Sequence, residues 1–195
     1  MAMELKQIRK QLKNHLPKKR YEHTIGVMYT ACSLAMCHGI DMHKAQYAAL
    51  LHDCAKYLDD SEKMKACKKF KIQVTPYEND NKELLHAKIG AAFAKHYYEV
   101  DDDDILNAIA CHTTGKPDMT TLEEIIFIAD YIEPNRKELP GLSEIRYLAF
   151  HDLTKCIVQI MENTLQYLKT KKDAVDETSI ATYEFYKRKQ EMNNE

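Results

Sequence analysis

The chain has 195 residues, a mass of 22.7 kDa, 45% apolar and 30% charged residues. That is enough for one domain with a substantial core, and too apolar for a disordered chain. A formal net charge of −2 and a pI near 6.5 exclude the global basic field of a protein that wraps nucleic acid polymers, so any cations that bind phosphate must be local.

Apolar residues recur at helical spacing, as in Ile25, Met28, Tyr29, Cys32 and Met36, and strand-like alternation is nearly absent. Seven or eight helices and no meaningful sheet are expected. The first helix is predicted over about 3 to 15, stopping near Pro17, and the second over about 18 to 38, with Gly39 as its stop. The third runs from Asp41, a good N-cap, to about Tyr57. A short helix from Ser61 to Phe70 follows Asp60, and residues 71 to 81, which contain Pro76, read as a loop. Helix resumes over about 82 to 98. The acidic run Asp101 to Asp104 opens the next helix, which ends near His112. Carboxylates in that place suit the helix dipole, and no EF-hand pattern follows to favour calcium. HTTGKPDM (112 to 119) is a loop, a helix runs from Thr120 or Thr121 to Ile132, and EPNRKELPG (133 to 141) is a loop. The stretches 143 to about 171 and 177 to 190 read as long amphipathic helices, and the polar tail QEMNNE is expected to fray.

The six cysteines, Cys32, Cys37, Cys54, Cys67, Cys111 and Cys156, form no C-x-x-C pair. A chain of this size needs no disulfides, so they are read as small buried hydrophobes in a reducing cytoplasm. The N-terminus has no apolar signal-peptide core, and no apolar run approaches membrane-spanning length. A cytoplasmic protein without membrane partners is expected.

The informative residues are polar groups in apolar places. In AALLHDCAKYL (48 to 58) an apolar run leads into His52 and Asp53. In IIFIADYIE (125 to 133) Asp130 sits among isoleucines, where a lone carboxylate needs a cation, a donor or a metal. His23, His86 and His112 fall in comparable settings, at helix ends or in apolar stripes. Neutral imidazoles together with carboxylates suit divalent iron, manganese, cobalt or zinc, and helix-bundle metal sites draw such ligands from neighbouring helices. His15, His38, His43, His96 and His151 have no consistent partner set and are read as structural. Cys54 and Cys111 lie beside the proposed ligands but point elsewhere on their helices.

The ordered set His23, His52-Asp53, His86, His112, Asp130 resembles the HD-domain metal phosphohydrolases. LLHDCAK, LLHAKIGA, HTTGKPDM and IIFIADYIEPNRKELPG closely resemble the YqeK group, over roughly residues 3 to 188. The segment from His112 through Gly141 is the most specific part. The resemblance implies an all-α HD-domain bundle, a single domain over 1–195 with its core at about 18–135 and a C-terminal helical extension at about 143–190. It implies a symmetrical bis(5′-nucleosyl)-tetraphosphatase, which cleaves diadenosine tetraphosphate to two ADP. It implies an iron-type metal held by residues matching His23, His52, Asp53 and Asp130, with manganese or cobalt as alternatives and one or two ions. It places the nucleotide against positions matching Arg20, Asp53, Cys54, Ala55, Lys56, His86, His112, Thr113, Asp130 and Arg136. Ala87 and Lys88 stand where relatives often carry Gly-Pro, which leaves His86 intact.

The local chemistry fits this reading. Such a metal gives a nucleophilic hydroxide near neutral pH, and cations must balance the charge on the attacked phosphate. Lys56, Arg20 and Arg136 each lie within a few residues of a proposed ligand. Asp53, Lys56, His86 and His112 are the catalytic candidates, His86 and His112 either binding a second metal or donating to phosphate. Thr113 could hydrogen-bond a phosphate; no general acid stands out. Three alternatives stay open: an HD-type hydrolase of another nucleotide (a nucleoside monophosphate, a deoxynucleoside triphosphate or a cyclic dinucleotide), a non-catalytic nucleotide-binding module, and a helical interaction protein. The helices from 143 to 190 either mediate a homodimer or cap the metal domain.

Overall fold

The computed structural model describes residues 2–137, 139, 141–171 and 175–193. Glu138 and Pro140 of the 133–141 loop, and the last two residues of the tail expected to fray, lie outside them. The described residues form helices and no strand, as the helical spacing requires. They comprise eleven α-helices and one 3-10 turn, more than the seven or eight expected.

Helix α1 (Leu5–His15) buries Ile8 and Leu12, and α2 (Lys18–Cys37) follows directly from Pro17. Gly39, at φ +68°, turns the chain into α3 (Met42–Leu51), where the Asp41 side chain accepts from the His43 and Lys44 amides. The expected helix to Tyr57 stops at Leu51 instead. From there the backbone tightens into successive turns, with Cys54 N–H bonded to Leu51 O at 3.1 Å and Lys56 N–H to Asp53 O at 3.0 Å. These three-residue closures replace the four-residue spacing of an α-helix. Lys56 therefore lies on a turn rather than within the helix expected to reach Tyr57.

Helix α4 (Asp60–Phe70) begins with a reciprocal cap between Asp59 and Glu62. Within the expected loop 71–81 there is a short helix, α5 (Pro76–Asp80), started by Thr75 and Glu78 capping each other, with Pro76 at its first position. A 3-10 turn (Lys82–Leu84) leads into α6 (Leu85–Tyr97). Lys88 pairs with Glu78 at 2.7 Å, tying α6 to α5. Asp102 caps α7 (Asp103–Cys111), and Lys44 bonds Asp102 and Asp104, so this acidic run serves helix initiation and the contact with α3.

Thr120 and Glu123 cap α8 (Thr121–Ile132), which carries a nearly continuous apolar surface: Leu122, Ile125, Ile126, Phe127, Ile128, Ala129 and Ile132 are all buried. An all-round apolar helix must lie at the centre of a bundle, and α8 packs against α2, α3, α7 and α10. Each fully buried isoleucine contributes about 1.5–3 kcal/mol relative to exposure. The helix expected from 143 to 171 is broken into α9 (Leu142–Ala149) and α10 (Leu153–Lys171). The break occurs because Asp152 Oδ1 accepts from Lys155 N–H at 2.9 Å and starts a new helix. Helix α11 (Glu177–Asn193) extends past the expected end at 190 and packs along α10. All six cysteines are free, and among the described residues no helix is long and apolar enough to cross a membrane.

Candidate metal centre

Six side chains from five places in the chain meet at one point. His23 comes from the first half of α2, His52 and Asp53 from the turn ending α3, His86 from the start of α6, His112 from the end of α7 and Asp130 from the last turn of α8. The early end of α3 explains how adjacent His52 and Asp53 reach the same space: Asp53 is already outside the helix.

The ring orientations follow one rule. His52 Nδ1–H donates to Ala49 O at 2.6 Å, and His112 Nδ1–H donates to Ile109 O at 2.7 Å. His86 Nδ1–H donates to Glu83 O. In each case the acceptor is the carbonyl three residues back, left open where a helix or turn ends. His23 Nδ1–H donates instead to Glu133 Oε1, 3.1 Å away. With every Nδ1 occupied as a donor, every Nε2 lone pair faces inward.

The inward-facing atoms fall into two halves joined by Asp53. On one side, His23 Nε2 lies 3.0 Å from Asp130 Oδ1 and 3.8 Å from Asp53 Oδ2. His52 Nε2 lies 3.4 Å from Asp53 Oδ2 and 4.0 Å from Asp130 Oδ1. On the other, Asp53 Oδ1 lies 3.2 Å from His86 Nε2 and 3.7 Å from His112 Nε2. His23 Nε2 and His52 Nε2 are buried without any hydrogen-bond partner. Buried polar atoms are seldom left so, and a first-row ion bonded at about 2.0–2.2 Å spaces its ligand atoms by about 3–4 Å. The two orphaned nitrogens and the two carboxylates thus fit a divalent metal. His52, Asp53 and His112 also bring ligand atoms within 4.8 Å of one another. The His86 and His112 Nε2 atoms are 3.1 Å apart. With both rings already donating from Nδ1, a proton or a cation must lie between these two lone pairs.

The electrostatics favour ionised carboxylates. Burial works to raise the pKa of Asp53, but the field of His52 and the close approach of the His112, His52 and His86 rings outweigh it and hold the group well below the usual range. Burial is likewise opposed at Asp130 by the His23 ring 3.0 Å away and the field of His52, so its pKa is also lowered. Burial lowers the pKa of His86, keeping the ring neutral and suited to ligation. Two arginines close the site from outside: Arg20 Nη1 donates to Asp53 Oδ2 at 2.8 Å, and Arg136 Nη2 donates to Asp130 Oδ1 at 3.0 Å. Lys56 Nζ lies 3.3 Å from both His86 ring nitrogens and 2.9 Å from Glu83 Oε1. Asp130 itself is not sealed in the core, with 22% of its side chain exposed toward the cleft.

Thr113 is half-buried directly after His112. Cys54 and Ala55 are fully buried, and the Cys54 thiol donates to Gly90 O at 3.6 Å, so neither side chain reaches the cleft. Burial pushes the Cys54 thiol pKa up, and pushes Cys111 to about 12, so both stay protonated beside the ligands. Among the other histidines, His38 bonds Ala149 O, His15 stacks on Tyr57, His96 on Phe70 and His151 on Tyr147, all away from the centre.

Glu133 is the residue that the sequence reading missed. It is 2% exposed and orients His23 through Oε1, while Oε2 accepts from Asn135 N–H at 2.7 Å. Arg146 braces this end of α8 through the Ile132 and Glu133 carbonyls. A Cβ at position 26 would stand 2.3 Å from Glu133 Oε2, so Gly26 makes room for that carboxylate against α2. The available signal was the spacing Asp130-x-x-Glu133, one helical turn on the same face.

The model of the HD domain matches residues 20–135. The chain belongs to the HD-domain family. It is 43% identical over 172 residues to a symmetrical bis(5′-nucleosyl)-tetraphosphatase of Halalkalibacterium halodurans, covering 88% of this chain and 91% of that one. The protein of the same description from Staphylococcus aureus is 38% identical over 192 residues, covering 94% and 95% of the two chains. A crystal structure from Clostridium acetobutylicum, described as a predicted HD superfamily hydrolase involved in NAD metabolism, superposes with a TM-score of 0.93 at 38% identity, covering 97% of this chain and all of that one. The convergent histidines and aspartates are thus the metal-binding cluster of an HD-domain hydrolase, and the helices after residue 141 belong to the shared fold.

Proposed function

We propose that this protein hydrolyses dinucleoside tetraphosphates, cleaving diadenosine tetraphosphate symmetrically to two ADP. The observation that carries this reading is the pairing of each metal-facing carboxylate with an arginine: Arg20 on Asp53 at 2.8 Å and Arg136 on Asp130 at 3.0 Å. A metal site by itself needs no such cations, whereas a polyphosphate does. The likeness to the symmetrical tetraphosphatases, over nine-tenths of their length, supports the substrate class.

His23, His52, Asp53 and Asp130 would hold a divalent ion of the iron, manganese or cobalt kind, and we take iron as the resident one. Such an ion supplies acidification of water near neutral pH and Lewis-acid polarisation of a phosphoryl oxygen. The chain does the rest. Arg20 and Arg136 bind the tetraphosphate and turn from their aspartates as its oxygens arrive. Lys56 and the His86–His112 pair lie across Asp53 and stabilise charge on the attacked phosphate, or hold a second ion. Thr113 adds a hydroxyl donor beside His112, and the Cys54–Ala55 turn offers its backbone, because both side chains face the core. The leaving ADP needs little protonation, so no dedicated general acid is required.

The test is product analysis by anion exchange, with diadenosine tetraphosphate and iron, manganese or cobalt. ADP as sole product is expected, with activity reduced by at least about 10²-fold in Asp130→Ala. ATP plus AMP would exclude the symmetrical cut. Turnover of a different nucleotide in place of this one would favour another HD-type hydrolase.

A further inference from the structure

The six metal-facing side chains all lie within the segment that matches the HD domain, but the loop after His112 is held from outside it, by α11. Helix α7 ends at Cys111, and Gly115 N–H closes its last turn on Cys111 O at 2.8 Å. Gly115 stands at φ +64°, which suits glycine, and it meets a second constraint there. A Cβ at this position would lie 2.7 Å from Thr182 Cγ2, so α11 approaches the loop as closely as a glycine permits. Thr182 is fully buried, and its hydroxyl donates to Thr178 O of its own helix at 2.7 Å. The methyl, not the hydroxyl, therefore bears on Gly115. Beyond it, Lys116 Nζ pairs with the buried Glu123 of α8 at 2.7 Å, and Met119 is buried. The loop is gripped between α8 and α11. Its first residues are His112, whose Nε2 lies 3.7 Å from Asp53 Oδ1 and 3.1 Å from His86 Nε2, and the half-buried Thr113.

Resting on the roles proposed above for His112 and Thr113, we propose that Thr182 is a positioning residue of the hydrolytic site. Its methyl seats Gly115 and so fixes where His112 and Thr113, three and two residues earlier, stand relative to Asp53. The effect is confined to the phosphate-facing half of the centre. His23 is oriented by Glu133, His52 by Ala49 O and Asp130 by Arg136, none of which lies on α11. A loop without its seat keeps the first ion and misplaces the donors, and a shift of about 1 Å in a catalytic group can cost about 10²-fold in rate.

Thr182→Ser deletes the methyl and keeps the bond to Thr178 O, whereas Thr182→Val keeps the methyl and deletes the hydroxyl. Tyr186→Phe, one turn along α11, removes the bond to Glu124 and leaves the Gly115 contact in place. Each is compared with wild type in amide exchange of the metal-free protein, manganese affinity by equilibrium dialysis, and kcat and KM. In Thr182→Ser the Gly115 amide exchanges about fourfold faster, the factor that one buried methyl is worth. Its kcat falls about three- to tenfold with KM and the affinity for the first manganese ion unchanged. Thr182→Val matches wild type in all three measurements, and Tyr186→Phe keeps its kcat while its Tm falls. A Thr182→Ser kcat equal to wild type, or a loss shared by Thr182→Val or Tyr186→Phe, overturns the inference, because it marks α11 as structural alone. A fall in first-ion affinity in step with kcat overturns it too. Failure of the wild type on diadenosine tetraphosphate sinks the substrate reading only: exchange at Gly115 needs no substrate, and the kcat comparison is then made on the nucleotide that is turned over.

Discussion

Glu133 shows how a residue that touches neither metal nor substrate can govern both. Its carboxylate holds the His23 Nδ1 proton and thereby aims Nε2 at the centre. Outer partners of this kind typically alter metal affinity by about 10–100-fold when replaced. Glu133→Gln, which keeps the shape but weakens the acceptor, is therefore expected to lower manganese or cobalt affinity within that range in equilibrium dialysis. The metal-free variant is expected to fold like the wild type. Asp130 was legible in the sequence because a carboxylate after Ile125–Ala129 has no apolar explanation. Glu133 was not, because an acid at a helix end before a proline is commonplace, and the histidine it serves lies 110 positions earlier. It is the family resemblance that places Cys54 and Ala55 against the nucleotide. The turn that carries Asp53 and Lys56 toward the metal centre points the two residues between them into the core.

At the scale of helices, Gly26 links α2 to the end of α8. Alanine in place of glycine within a helix gains about 1 kcal/mol of propensity, so Gly26→Ala would ordinarily stabilise. Here the added methyl meets Glu133 Oε2 at 2.3 Å and must displace the carboxylate that orients His23. The expected outcome is a Tm within a few degrees of wild type together with weaker metal binding, measured by thermal melts with and without manganese. Glu83 gives a pH signature. Despite opposing burial, Lys63 and Lys56, each 2.9 Å away, hold its pKa at about 2, below the ordinary 4.5. The folded state is the one with the depressed value, so this contribution is present above about pH 4.5 and is lost as pH falls toward 2. Glu83→Gln is expected to flatten the acid limb of a Tm-against-pH curve in that window and to change little at neutrality. Helix interiors were readable from apolar spacing, but several ends were not. LLHDCAKYL carries no Gly or Pro to stop α3, and ring-to-carbonyl bonds and tight turns end it at Leu51. Asp152 starts α10 in the middle of an unbroken amphipathic pattern. Thr75-Pro76 was a helix start read as a loop.

Across the whole molecule, α11 closes the bundle over the helix that carries Asp130. Tyr186 is fully buried, and its hydroxyl donates to Glu124 Oε1 at 2.8 Å. Burial raises the Glu124 pKa, and Tyr186 and Lys189 offset this in part. Tyr186→Phe leaves that carboxylate short of a donor, at an expected cost of about 1.5–3 kcal/mol. A Tm lowered by several degrees, with unchanged ADP formation below the melt, would mark the contact as structural. Periodicity predicted an all-helical chain, but not which helices are neighbours; that followed from the likeness to HD domains.

The histidines that end α3 and α7 join helix termination to ligation. The ring proton that closes the last turn also sets the direction of the lone pair, so unwinding that turn and losing a ligand are one event. An occupied site therefore restrains the backbone amides of those turns, in the manner of a bound ligand protecting the state it selects. In native-state hydrogen exchange, the amides ending α3 and α7, near Leu51 and Cys111, are expected to slow together when manganese is added. Amides in α1, remote from the site, keep their rates. Metal occupancy would then be readable from solvent exchange alone, without turnover.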